Sequence, residues 1–116
     1  MSSLLLLQFE FSAALARLIQ QANILGYGVT MGECYRTPEQ AALNAQSGSG
    51  IAHSLHTDRL AVDIQLFKDG QYLSSSEDYA ALGAWWKSGG AMYCWGGDFK
   101  RPDGNHFSLS PDGLRK

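Results

Sequence analysis

"HSLHTDRLAVDIQLF", residues 53–67, decides how the rest of the chain is read. In residues 60–67, Val62, Ile64 and Leu66 fall on one side, and Ala61, Asp63 and Gln65 on the other. That period of two predicts a strand with one apolar face. A carboxylate inside such a strand is costly to desolvate unless it is paired or bound to a metal. Asp63 therefore asks for a partner. Two histidines are placed to supply one. His56 stands on the loop entering the strand, and His106 stands in "RPDGNHFS", residues 101–108, at the mouth of a short last strand. Two neutral nitrogens and one anionic oxygen, with the fourth position left to water, form the ligand set of a catalytic zinc site. Structural zinc sites close all four positions, usually with cysteine.

Asp103 precedes His106 by three residues, in a Pro-Asp-Gly-Asn turn that bends the chain back. This spacing sets its carboxylate beside the metal rather than on it. Zinc lowers the pKa of the water it binds to about 7. A neighbouring carboxylate can take that proton and hand it to a leaving amine. The chemistry is metal-assisted hydrolysis, most naturally of an amide. Arg36, in "CYRTPEQ", residues 34–40, sits just before a helix start. It is the candidate cation, either for the oxyanion or for a substrate carboxylate held by a bidentate pair. Ordinary readings stand beside these. Asp63 can form a buried ion pair with Arg59 or Arg36 in a metal-free core. Asp103 and Asn105 can be plain turn formers. Arg36 can be a surface salt-bridge partner, and His53 has no partner spacing and reads as structural. Trp85, Trp86 and Trp95 read as core or cleft wall in preference to a carbohydrate platform.

Outward from the strand, helices and strands mix without βαβ alternation or repeats. Leu15, Leu18, Ile19 and Ala22 give helical spacing over residues 10–26, with Ser12 as N-cap and "GYG" as the stop. "VTMGECYR" has strand residues. "TPEQAALNAQ" predicts a second helix, with Thr37 as N-cap, Pro38 in the first turn and Gln40 at the capping-box position. "SGSG", residues 47–50, reads as a flexible loop, and the Asp-Gly of "KDGQY" as a tight turn. Residues 74–90 predict a third helix. "AMYCWGGDF" predicts a strand and turn, and "HFSLS" the last strand. The expected class is α+β, helices packed on a small antiparallel sheet.

The chain has 116 residues, of which 45% are hydrophobic and 17% charged, enough for a single domain with one core, here taken as residues 1–116. A net charge of −2 leaves no electrostatic footprint for nucleic acid. "MSSLLLLQFEFSAALARL" has no positive n-region, its Leu run is short, and Glu10 interrupts it, which argues against a signal peptide. No run approaches the ~18 apolar residues of a membrane span. The expectation is a protein made in the cytoplasm without its own export signal, with no membrane or nucleic-acid partner. Cys34 and Cys94 read as free thiols, with one disulfide as the alternative. The absence of heptads or repeats points to a monomer.

"SLHTDRLAVD", residues 54–63, resembles the S-x-H-x(6)-D segment of the M15 zinc peptidases, the bacterial and phage D-alanyl-D-alanine carboxypeptidases and L-alanyl-D-glutamate endopeptidases. "YRTPEQ" resembles the family's Y-R-x-x-x-Q segment. "WGGDF" followed by D-x-x-H-F resembles its C-terminal segment. The matches keep the family's order and cover roughly residues 25–108. The resemblance implies zinc held by His56, Asp63 and His106, with Asp103 as general base and Arg36 as substrate or transition-state cation. It implies the compact α+β fold shared with the Hedgehog signalling domain, and a peptidoglycan stem peptide as substrate. It points to an L-alanyl-D-glutamate endopeptidase of the phage or prophage endolysin kind, reaching the cell wall through a holin pore. A D-alanyl-D-alanine carboxypeptidase is the alternative, and a non-catalytic zinc-stabilised binding domain stands behind both. The chain departs from the family in three places. Arg59 stands where many members have Gly, the loop between "WGGDF" and Asp103 is short, and many members place Glu where Asp103 stands.

Overall fold

The structure, a computed structural model, describes residues 2–48 and 54–111; His53 and the end of the 47–50 loop lie outside them. In chain order the elements are α1 (Ser3–Ile24), β1 (Gly28–Met31), α2 (Pro38–Gln46), β2 (Ala61–Lys68), β3 (Gln71–Leu73), α3 (Ala80–Lys87), β4 (Tyr93–Trp95) and β5 (His106–Leu109). The class is α+β, as the mixed pattern predicts.

β2 organises the sheet. β1 runs antiparallel along one side of it, from Gly28 opposite Phe67 to Met31 opposite Ile64. On the other side β5 pairs with Ala61–Asp63 and β3 with Leu66–Lys68. β4 closes the far edge by pairing with β5. Every pairing is antiparallel. The alternation of β2 is as read: Val62, Ile64 and Leu66 are fully buried, while Asp63 and Gln65 are half-buried on the other face. The apolar face packs under α1, whose Phe11, Ala14, Leu18 and Ala22 are buried at helical spacing. Trp86 from α3 fills the space between, with Phe11, Tyr93 and Phe107 meeting its ring edge-on. Its indole N–H donates to the Ser108 carbonyl at 3.0 Å. Trp95 is also buried and donates to the Gly104 carbonyl at 2.7 Å. Both rings serve the core, where an aromatic N–H needs a partner.

Local signals account for most element ends. Thr37 caps α2 by accepting from the Gln40 N–H at 3.1 Å, but the Gln40 side chain donates to Asn44 and leaves the capping box half made. Asp69 and Gly70 both take positive φ, 51° and 77°, as a two-residue hairpin of matching twist requires. That hairpin creates β3, a strand the sequence reading does not contain.

Three expectations need correction. α1 begins at Ser3, capped by Ser2, and Ser12 lies inside it with its hydroxyl on the Phe9 carbonyl. The apolar run before Glu10 continues the helix instead of preceding it. By length and composition α1 is long and apolar enough to cross a membrane, so the expectation that no segment qualifies does not hold; one of its faces is buried in this core. The third helix is divided. A capping box of Ser75 and Asp78 opens a 3₁₀ turn, Ser76–Tyr79, before α3. Cys34 and Cys94 form no disulfide.

Candidate metal centre

Strand register builds the centre. Asp63 on β2 is the direct cross-strand partner of His106 on β5. Facing residues of an antiparallel pair project to the same side, with Cβ atoms about 4.5–5.5 Å apart. Both side chains therefore stand on the sheet face opposite α1. His56 arrives from the turn that leads into β2. Its N–H donates to the Ser54 hydroxyl at 3.1 Å, and its carbonyl accepts from the Arg36 and Arg59 amides at 3.3 and 3.2 Å. Arg59 takes φ 59°, the left-handed conformation that glycine adopts without strain. The chain thus turns at the position where the family often has Gly, and the Arg59 guanidinium lies 4.1 Å over the Tyr35 ring.

His56 Nε2 and His106 Nδ1 each lie 3.4 Å from Asp63 Oδ1. The three candidate ligand atoms all fall within 4.8 Å of one another. The imidazoles are 3% and 6% exposed, with ring planes 73° apart. Asp63 Oδ1 and His106 Nε2 are buried with no hydrogen-bond partner among the described residues. A buried carboxylate oxygen without a partner is costly. A cation bound between the two imidazole nitrogens would satisfy it. A His2Asp set of this kind suits zinc, with cobalt or manganese as lesser fits. Burial pushes the Asp63 carboxyl upward, but the close ring nitrogens of His106 and His56, and their charge, outweigh it and hold the group at about 2. Asp63 is an anion throughout the physiological range.

Asp103 lies on the 102–105 turn beside this trio. Its N–H donates to the Gly96 carbonyl at 2.8 Å, and its carbonyl accepts from the His106 N–H at 3.0 Å. A Cβ on Gly96 would come within 2.0 Å of the Asp103 carbonyl oxygen, and one on Gly104 within 2.5 Å of the Ser76 Cα. The Ser76 hydroxyl accepts from the Gly104 N–H at 2.9 Å. Close backbone contacts on both sides therefore hold the turn. The Asp103 side chain is open to water on one side. Partial desolvation by the cleft, and then the Asp63 charge, push its carboxyl above the ordinary aspartate range; the histidines pull the other way.

Arg36 is engaged. Its Nε donates to Glu33 Oε1 at 2.9 Å, and its Nη2 meets the same oxygen. Glu33 Oε1 also lies 3.7 Å from His56 Nδ1, which faces the Cys34 carbonyl at 3.4 Å. Among the described residues neither Arg36 nor Arg59 is ion-paired to Asp63, whose carboxylate instead faces the ring nitrogens of His56 and His106. Glu33 is the residue sequence reasoning missed. Its one signal is the i, i+3 spacing to Arg36 in "GECYR". Its place beside Asp63 follows from the backbone: the Asp63 N–H donates to the Glu33 carbonyl, and the Gly32 N–H to the Asp63 carbonyl, each at 2.8 Å.

Against known proteins, the sequence model of an M15 peptidase family, described as D-alanyl-D-alanine carboxypeptidase, matches residues 47–109. That segment contains His56, Asp63, Asp103 and His106 and excludes Arg36. No curated protein matches the chain. Among solved structures, the L-Ala D-Glu endopeptidase ChiX of Serratia marcescens is similar. The TM-score is 0.66 at 26% identity, over 83% of this chain and 77% of that one.

Proposed function

We propose, for a chain that belongs to the M15 peptidase family, that it is a zinc-dependent endopeptidase cutting the L-alanyl-D-glutamate bond of peptidoglycan stem peptides. The observation that carries the reading is the convergence of one ligand atom each from His56, Asp63 and His106 within 4.8 Å, with Asp103 on the adjacent 102–105 turn. The structural likeness to an L-Ala D-Glu endopeptidase supports the choice of bond.

His56, Asp63 and His106 would hold the metal. Zinc, when bound, supplies a Lewis acid that polarises the scissile carbonyl and makes water nucleophilic near neutral pH. The remaining steps belong to the chain. Asp63 is held low by the two imidazoles, while burial and the Asp63 charge raise the Asp103 carboxyl, the direction a general base needs. Asp103 takes the proton of the attacking water and returns it to the leaving amine of D-glutamate. Arg36 is held by Glu33, which also lies near His56, and would be the cation available to the centre. It serves the developing oxyanion or a substrate carboxylate by exchanging part of its pairing with Glu33.

The test is mass spectrometry of products from purified peptidoglycan, with and without a chelator. Chelator-sensitive stem peptides with a new D-glutamate N-terminus are expected. Chelator-sensitive free D-alanine would move the assignment to the carboxypeptidase that the family's description names. No products from zinc-loaded protein would leave the binding-domain reading. We also read the protein as a phage or prophage endolysin, made in the cytoplasm and admitted to the wall by a holin. Expression in a bacterial host should then cause lysis only when a pore protein is co-expressed.

A further inference from the structure

A cleft of about 250 Å³ opens beside the candidate metal centre, between the β2–β3 hairpin, the Ser76–Tyr79 turn and the 102–105 turn. Tyr72, Ser74, Ser76, Tyr79, Asp103 and Asn105 line it. Beside Pro102 and Gly104, the lining offers hydroxyls, one amide and one carboxylate, with no cationic side chain. The Tyr79 hydroxyl donates to the Leu73 carbonyl at 2.8 Å and accepts from the Leu66 N–H at 3.0 Å, which makes it a fixed wall. The Ser76 hydroxyl accepts from the Gly104 N–H, and its own hydrogen remains to donate into the cleft. Tyr72 is 53% exposed at the mouth, and its ring is steadied by Phe67 at a centroid distance of 5.5 Å.

We propose that this cleft is a sugar subsite that takes the N-acetylmuramyl ring at the head of the stem peptide. The inference rests on the endopeptidase reading and adds which part of the substrate fills the cleft. Asp103 belongs to both the cleft wall and the candidate reaction centre. A group bound in the cleft is therefore close to the scissile bond, within the reach of a short linker, since two extended residues span only ~7 Å. On one side of an L-alanyl-D-glutamate bond stands the D-glutamate carboxylate. On the other, one L-alanine and the lactyl ether of the muramyl group lead to the sugar ring, a reach of about two residues or ~7 Å. A lining with Asp103 and no cation repels the carboxylate. Hydroxyls that both donate and accept, an amide and an exposed aromatic face match an uncharged, polyhydroxylated, N-acetylated ring. The volume lies just below the ~300–1,000 Å³ of drug-sized pockets, which fits one ring and not a glycan strand.

The experiment compares two substrates that differ only in the sugar, an N-acetylmuramyl-capped stem peptide and its N-acetyl-capped counterpart. A preference of about tenfold in kcat/KM for the muramyl substrate, carried by KM, is expected; this corresponds to about 1.4 kcal/mol of added binding. Tyr72→Ala and Ser74→Ala should each shrink that ratio with zinc content unchanged. Both positions are exposed, so the variants should fold. A second readout needs no turnover. In the zinc-loaded protein, methyl N-acetylmuramyl-L-alaninamide should shift the amide resonances of residues 72–76 and 103–105. Equal kcat/KM for the two substrates, with no such shifts, overturns the subsite while the endopeptidase stands. Shifts in the cleft with neither substrate cut support the subsite and overturn the endopeptidase.

Discussion

Asp63 and Asp103 are the same side chain in two environments. Asp63 faces two imidazole nitrogens and stays ionised. Asp103 faces a cleft and a neighbouring negative charge, and it holds its proton more tightly than a free aspartate. The division of roles follows from these surroundings and gives a clean test. Asp103→Ala should retain one bound metal and its fold while hydrolysis falls by about 10²–10⁴, the usual worth of a positioned acid–base group. Metal analysis and product formation on the same sample decide it; unchanged turnover removes Asp103 from the mechanism. Arg59 offers a second test. Its left-handed backbone costs about 1–2 kcal/mol relative to glycine, and its contact with Tyr35 returns about 0.5–1 kcal/mol. Glycine also loses more chain entropy on folding. Arg59→Gly should therefore change unfolding stability by less than about 1 kcal/mol. A loss of several kcal/mol in denaturant melts would show that the guanidinium holds the His56 turn.

At the scale of elements, the site depends on how strands pair and how the β2–β3 hairpin is pinned. Tyr79 does the pinning, because one hydroxyl bridges the Leu66 amide of β2 and the Leu73 carbonyl at the end of β3. Tyr79→Phe leaves both backbone groups without that partner and should cost about 1–3 kcal/mol. Burial, as the largest cause, raises the Tyr79 phenol above its ordinary value of about 10, against the opposing hydrogen bond from Leu66. A raised folded value favours the protonated form in the native state. This contribution is complete below pH ~10 and is lost as pH rises through the folded value. Denaturation of the parent should therefore ease above pH ~10, with a shallower slope in the Phe variant. Identical slopes would mean that Tyr79 does not titrate on unfolding.

At the scale of the whole molecule, a metal at the candidate centre would join segments that the backbone brings from three places: the 54–60 turn, β2 and β5. A ligand that binds only the folded state stabilises it by RT ln(1 + [L]/Kd), about 4 kcal/mol at a thousandfold excess over Kd. Chelation should accordingly lower Tm and restore the orphaned buried oxygen of Asp63. His106→Ala should lose metal and stability together, because metal binding is coupled to folding. Full zinc occupancy in that variant would remove His106 from the ligand set. Calorimetry with and without zinc reads both effects.

The sequence by itself determined the parts that nearest neighbours control. The alternation of Val62, Ile64 and Leu66 set β2, Thr37 and Pro38 set the start of α2, and Asp69-Gly70 set the hairpin turn. The misplaced carboxylate in β2, together with His56 and His106, was legible because a buried charge needs a partner. Only the tertiary structure decided what each of these residues meets. The antiparallel register sets Asp63 opposite His106, a pairing no local pattern encodes. The extension of β1 past Gly32 brings Glu33 to Arg36 and His56, which names the partner that holds the candidate cation. The 3₁₀ turn before α3 and the short β3 create the cleft beside Asp103. Periodicity and capping act over a few residues. Pairing between segments some forty residues apart is chosen by the burial of the whole core, and that choice is made only when the sheet and α1 pack together.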